Sequence, residues 1–476
     1  MPLPAIQRMP GGKMRWLGMC LIVPVLSAAC VRYVPQPLMP ERVADRFQAR
    51  SLDDEGLRRH LETALGPRLA AWPPSFWNLE TLTHAAFYFH PDLDTARARW
   101  GVARAQVVTA SGGPSPGLSI TPAYTVGAAR APWYTQFGFD LTFETAGKRE
   151  SRTEAAAQRA EAERGGVALT AWAIYGSLRD AIAGFQFATS TFALLREEEE
   201  IRIEYVSLLD TQVSVGELGR PVLDGARVEL QRTQLAVAGA QATIADARRD
   251  LARRTGVPSS AIVDRPIDAA LSEPLRIEPS FASDIVAVAL LDRIELRQML
   301  AEYAAAEASL RLAVAQQVPD IGLGPVFRWA VDQQRWSLGA GLNPLSRQRG
   351  PIAEATARRE ETAARFYARQ ADVAANAEAA LGTYQAAIAE YDRATLLLRS
   401  VETRAADIRT LFDLRDVDAV ALVGSRLEVL LARRAQLDAL SRVHRTLGTL
   451  EDAVHRPLTL PGGLPRGPET APLREP

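Results

Sequence analysis

The chain has 476 residues, enough for a large core or several domains. Lys and Arg number 55 against 56 Asp and Glu, a formal charge of −1, and no basic block breaks that balance, which argues against nucleic acid as the main partner. Hydrophobic residues make up 47% and many are alanine; with abundant Arg and Glu, this is the composition of long packed helices.

The N-terminus reads as an export signal, residues 1–29. Arg8, Lys13 and Arg15 supply the positive region, and Leu17 to Leu26 is a short apolar stretch broken by Gly18 and Pro24. That stretch is too short for a permanent spanning helix. Translation from Met9 or Met14 would give a more typical signal length. Ser27-Ala28-Ala29 then places small residues before Cys30. The other cysteine, Cys20, lies inside the signal, so the mature chain has no disulfide framework. Cys30 resembles the lipidated first residue of a bacterial lipoprotein. Ser27, however, stands where a lipobox usually has leucine, with Leu26 one place earlier. The same residues also suit ordinary cleavage, which would leave a free thiol.

Residues 30–80 form an expected lipid-anchored segment. They mix proline-rich pieces with a helix around Leu52–Leu65, and the segment is a candidate to run along the outside of the helices that follow. Then the body repeats itself. Leu93, Trp100, Ala105, Pro116, Pro122 and Tyr124 are matched by Leu296, Tyr303, Ala308, Pro319, Pro325 and Phe327, each 203 positions later. Similar residue types at one ungapped offset point to internal duplication. Each copy, 81–264 and 283–456, has the order helix, two strands, very long helix, turn and return helix.

The strands alternate with a period of two, one face apolar and one polar or small. Leu118, Ile120, Tyr124 and Val126 alternate with Ser119, Thr121, Ala123 and Thr125. Trp133, Phe137, Phe139, Leu141 and Phe143 alternate with Gln136, Gly138, Asp140 and Thr142. In the second copy Ile321, Leu323, Phe327, Trp329 and Val331 alternate with Gly322, Gly324, Arg328 and Ala330; Trp336, Leu338, Ala340 and Leu342 alternate with Ser337, Gly339, Gly341 and Asn343. About ten residues suffice for a tilted barrel strand, and Trp133, Tyr134, Phe143, Trp329 and Trp336 near the strand ends fit an interfacial girdle. On pattern alone, two hairpins lying on a soluble core fit equally well. The export signal and the lack of further hairpins favour the barrel. Four strands cannot close around a pore, and an open edge in hydrocarbon costs several kcal/mol per unpaired group. Several chains must therefore pool their strands; three would supply about twelve, ample for a water-filled lumen.

Ser151 to Val213 is proline-free over about 63 residues, roughly 95 Å as a helix, and Ala353 to Phe412 would extend roughly 90 Å. Such lengths imply coiled-coil packing. Gly165-Gly166 is a candidate bend. Gly219-Arg220-Pro221 opens the first return helix, Gly256-Val257-Pro258 closes it, and Asp413–Asp418 forms the second turn. The carboxylate run Glu197–Glu200 reads as a solvated helix face, since no histidine accompanies it. Residues 457–476, rich in Pro and Gly, read as disordered.

Catalytic chemistry finds little support. The five histidines, His60, His84, His90, His444 and His455, show no metal-ligand spacing, and the mature chain has no G-x-S-x-G elbow or phosphate-cradling loop. His84 and His90 read as ordinary helix-end residues. No enzyme activity, cofactor or metal site is expected.

In layout, residues 80–456 resemble the TolC-like outer-membrane efflux protein family. The duplicated Pro116 and Pro319 strand entries, the alternating hairpins and the helix turns carry the resemblance. Gln212-Val213-Ser214-Val215-Gly216-Glu217 resembles the family's periplasmic turn. Asn343-Pro344-Leu345-Ser346-Arg347-Gln348-Arg349-Gly350 is similar to its second strand-to-helix junction. Glu144-Thr145-Ala146-Gly147-Lys148-Arg149 is similar to the first junction of the heavy-metal (CzcC-like) branch.

The resemblance implies a mainly α chain with membrane β. Its long antiparallel coiled-coil helices would form a periplasmic tunnel, and its four strands would join a trimeric 12-stranded barrel in the outer membrane. It implies a homotrimer in outer-membrane lipid, with helix-turn tips at Val215, Gly216, Glu217, Leu414 and Arg415 meeting a periplasmic adaptor (membrane fusion) protein linked to an inner-membrane pump. Related channels often carry paired aspartates at the start of the second return helix. Here Ala419 and Leu422 stand there, with Asp416 and Asp418 just before, so Asp407, Arg409, Asp413, Asp416 and Asp418 are the gate candidates; a solvated charged loop is the competing reading. The expected function is an efflux channel for small solutes or metal ions, the junction motif tilting toward metals. Type I secretion, or a non-channel coiled-coil lipoprotein, is the alternative.

Overall fold

The computed structural model describes residues 33–66, 69, 71–126, 132–268, 270, 273–331, 333–342 and 347–458. The signal, Cys30, Asn343–Ser346 and residues 459–476 lie outside the described residues. Residues up to Ala49 form one unit, which contains α1 (Pro40–Gln48). The second unit, from Arg50, holds the rest.

In that second unit two runs of elements follow one another in the same order. The first runs α2 (Glu55–Leu65), α3 (Leu79–Phe89), α4 (Pro91–Ser111), β1 (Gly117–Tyr124), β2 (Trp133–Phe143), α5 (Lys148–Ser214) and α6 (Arg220–Thr255). The second runs α7 (Pro279–Ser283), α8 (Ile285–Asp292), α9 (Ile294–Ala315), β3 (Ile321–Ala330), β4 (Gln334–Leu342), α10 (Arg349–Asp413) and α11 (Ala419–Val454). The long helices have 67 and 65 residues, about 100 Å each at 1.5 Å per residue. Both begin three or four residues before the proline-free stretches suggest. The α5 helix runs unbroken through Gly165-Gly166. A Cβ on Gly165 would stand 3.2 Å from the Gln298 Cβ, so this glycine admits α9 rather than ending a helix.

Alanine permits the close approach of these helices. Ala155, Ala156, Ala160 and Ala162 on α5 and Ala301, Ala305 and Ala308 on α9 are buried, and α5 packs on both α4 and α9. Two larger cores flank this seam. Leu52, Leu57, Leu61, Leu65 and Trp77 join α3 and α5 residues, including Phe87, Phe89, Ile174 and Leu178, in the first. Ile285, Val373, Tyr384, Leu450 and Val454 form the second. Helix α2 and Trp77 are therefore part of the first core. Trp77 also bridges to Ile267, its N–H donating to the Pro266 carbonyl at 2.9 Å.

Three expectations change at this level. His84 is not a helix-end residue: it is buried within α3, its ring edge-on to His60 at 5.8 Å. His90 does sit at a helix end, its Nδ1 accepting the Asp92 N–H of α4. Of the run Glu197–Glu200, Glu198 is buried, accepting from Arg202 at 2.8 Å and from the Thr233 hydroxyl of α6 at 3.3 Å. In the C-terminal stretch, the Leu458 N–H donates to Glu451 Oε1 at 2.6 Å, so ordered chain extends past Arg456. Among the described residues no helix is long and apolar enough to cross a membrane.

Candidate functional site

The four strands form one antiparallel sheet in the order β1-β2-β3-β4. Directly paired residues share a face, so the register sorts every side chain. Leu118 pairs with Phe139, Ile120 with Phe137, Phe137 with Phe327, and Phe327 with Trp336. Tyr124 pairs with Trp133, Leu141 with Leu323, Phe143 with Ile321, and Pro325 with Leu338. Trp329 lies on the same face, opposite Gln334. The apolar alternating residues singled out from sequence that lie within the four strands thus occupy one face. Its neighbours within the chain do not cover it: Leu118 is 63% exposed and Trp336 is 75% exposed. The opposite face carries Ser119, Thr121, Gln136, Gly138, Arg328, Arg335 and Ser337. β1 and β4 have no further strand beside them, so the sheet has two open edges.

A junction fixes the base of the two hairpins to each other. Ala146 and Gly147 both adopt left-handed backbone, φ 56° and 71°, and turn the chain from β2 into α5. That turn aims Thr145 and Lys148 at the entry of β3. The Thr145 N–H donates to Asp320 Oδ1 at 3.0 Å, its hydroxyl donates to the Pro319 carbonyl at 2.8 Å, and Lys148 Nζ reaches the same carboxylate at 2.6 Å. Burial raises the Asp320 pKa, but the Lys148 and Thr145 hydrogen bonds and the Lys148 charge outweigh it and hold the carboxyl below its usual range. Arg152 grips Glu144 with both terminal nitrogens, at 2.5 and 3.1 Å. Thus the Glu144–Arg149 motif, noted from sequence as a family signature, holds the β2–α5 junction against the entry of β3.

At the far end, each long helix turns through the same hydrogen-bonded cap. The Glu217 N–H donates to the Gln212 carbonyl and that of Gly216 to Val213; likewise Asp416 donates to Leu411 and Arg415 to Phe412. Gly216 and Arg415 hold the left-handed position, φ 80° and 66°. Val215 and Leu414, just before them, are 65% and 66% exposed. Asp407, Arg409, Asp413, Asp416 and Asp418 are exposed. Asp418 caps α11 by accepting the Ala421 N–H at 2.8 Å, and it also accepts from Gln212 at 3.3 Å. Among the described residues, Asp407, Arg409, Asp413 and Asp416 take part in no intrachain ion pair, so the structure does not bring the five together. Nor does any cluster of His, Cys, Asp and Glu among those residues suit a metal ion.

Residues 83–257 match the outer membrane efflux protein family. This chain carries an outer membrane efflux protein domain. Its fold matches CusC, a solved transmembrane channel, with a TM-score of 0.66 at 17% identity, over 81% of this chain and 94% of that one. It also matches the outer membrane protein VceC of Vibrio cholerae, TM-score 0.64 at 19% identity, over 79% and 95%. The MtrE outer membrane channel of Neisseria gonorrhoeae matches with a TM-score of 0.64 at 17% identity, over 79% and 88%. No curated protein matches the sequence. The fold shared with these solved structures thus extends well beyond residues 83–257, covering about four fifths of the chain.

Proposed function

We propose that this efflux-domain protein is the outer-membrane channel subunit of a tripartite efflux system, exporting small solutes or metal ions. The observation that carries the reading is the uncovered apolar sheet face together with two open strand edges. Hydrocarbon satisfies the apolar face, but it penalises an open edge by several kcal/mol per unpaired group. β1 and β4 run in opposite directions, so β4 of one copy meets β1 of the next antiparallel and the barrel can close by repetition. Three copies give about twelve strands, wide enough for water. The polar face then lines the lumen.

The long helices of the assembled copies would continue the conduit into the periplasm. The turn residues Val215, Gly216, Glu217, Leu414 and Arg415 would meet the adaptor protein there, their exposed apolar tips supplying the contact. Cys30 would anchor the chain in lipid. The test is extraction and conductance. The purified protein should need detergent, run as an oligomer that dissociates on heating, and open ion-conducting pores in planar bilayers. A deacylated chain that stays monomeric in plain buffer and conducts nothing would refute the channel and favour a tethering lipoprotein.

A further inference from the structure

Two arginines on the polar face of the sheet stand directly opposite each other. Arg328 on β3 pairs in register with Arg335 on β4. Like charges facing each other across a strand pair are unfavourable, so the pairing calls for a compensating partner. Within the chain the compensation is slight. The Arg328 guanidinium lies 3.6 Å over the Tyr134 ring, and Gln136 is its register partner on β2. Thr121 pairs with Gln136, so one row runs Thr121, Gln136, Arg328, Arg335 across all four strands without a carboxylate.

The acid on that face is Asp140, four residues along β2 from Gln136, about 13 Å away. Among the described residues neither arginine forms an ion pair. Arg130 and Asp332, in the hairpin turns, lie outside those residues. Trp329 and Trp336 adjoin the row, and Tyr124 and Trp133 lie three residues nearer the hairpin turns.

We infer that Arg328 and Arg335 form an anion-binding ring inside the barrel, near its outer mouth, taking chloride in passing and polyphosphate-like anions more tightly. This rests on the channel reading. Two guanidiniums per copy give six in a three-copy barrel, all on the wall that faces water. Rings of Arg or Lys select anions because they lower the energy of a negative ion at the constriction and raise that of a cation. The planar guanidinium also matches phosphate oxygens in paired hydrogen bonds.

The experiment measures reversal potential across planar bilayers holding the full chain in a KCl gradient. The double variant Arg328→Gln with Arg335→Gln should shift the potential toward cation selectivity. Inorganic triphosphate added on the hairpin-turn side should block wild-type current and lose its effect on the variant. Arg335→Gln alone, at an exposed position, should give about half the shift and guards against misfolding of the double variant. Exchanging both arginines for Lys should preserve the selectivity. A conducting wild type whose potential and triphosphate sensitivity equal those of the Gln variants overturns the ring and leaves the channel standing. A wild type that opens no pore removes the channel, and the ring with it.

Discussion

Arg415 and Gly216 occupy the same place in two turns of the same geometry, both left-handed and both donating to the helix behind them. For a residue with a Cβ, that backbone region costs about 1–2 kcal/mol. Glycine there loses about 0.4–1 kcal/mol through the freedom of the unfolded chain. The strain is the larger quantity, so Arg415→Gly should strengthen the cap by about 0.5–1 kcal/mol. Hydrogen exchange at the Asp416 amide, which closes the cap onto Leu411, should then slow by roughly two- to fivefold; unchanged exchange would show that the turn relaxes without penalty. His455 ends α11 in the same left-handed conformation, its Nδ1 accepting the Ile294 N–H at 3.3 Å and its ring stacked on Trp172. Burial, with Arg293 and Arg369 nearby and only Glu295 opposing, pushes its pKa down to about 4. The folded state keeps this imidazole neutral while the unfolded chain protonates it near 6.5. The contribution is therefore complete above about pH 6.5 and is lost as pH falls toward 4. Thermal unfolding should show that decline, and His455→Asn, which tolerates left-handed backbone, should flatten it. The left-handed backbone of neither Arg415 nor His455 was legible. A histidine or arginine among helix charges carries no local mark of left-handed backbone, whereas Gly216 and Gly256 do.

At the scale of elements, what the sequence disclosed depended on how locally each element is determined. The strands were readable because a sheet with one apolar and one polar face forces strict alternation, and the register places Leu118, Phe137, Phe327 and Trp336 on one face as that alternation requires. The long helices were readable to within three or four residues because no proline interrupts them. Burial of Glu198 was not, since it depends on Thr233 arriving from α6, a partner that no window along α5 contains. The Lys148–Asp320 contact joins the start of α5 to the entry of β3, so it too is invisible to local pattern. It lends itself to a double-mutant cycle. Lys148 is nearly buried, and removing one partner leaves the other unsatisfied, at a cost of about 1–3 kcal/mol. Lys148→Met and Asp320→Asn should each lower the unfolding temperature in detergent, and the double variant should lose less than their sum, a coupling of about 1 kcal/mol. Strict additivity would mean that the clamp is held by Thr145 and Glu144–Arg152 instead.

At the scale of the whole molecule, the five charges offered as a gate divide into two kinds. Asp418 is already engaged: it caps α11 and accepts from Gln212 at the end of α5, so its carboxylate ties the two helix turns of one chain together. Asp416, in contrast, is exposed and makes no intrachain ion pair among the described residues, as do Asp407, Arg409 and Asp413. In the assembly proposed above, unpartnered charges of both signs at this end are the groups able to pair between copies. Such pairs are worth little individually in water and more where copies exclude solvent. Asp416→Ala should therefore raise single-channel conductance in planar bilayers, whereas Asp418→Asn, which removes the charge but keeps a capping oxygen, should stay near wild type. Asp418→Ala removes the cap as well and should raise conductance by loosening the turn. If Asp416→Ala leaves conductance unchanged while Asp418→Ala raises it, closure depends on the rigidity of each chain's own helix turns rather than on charge pairs between copies.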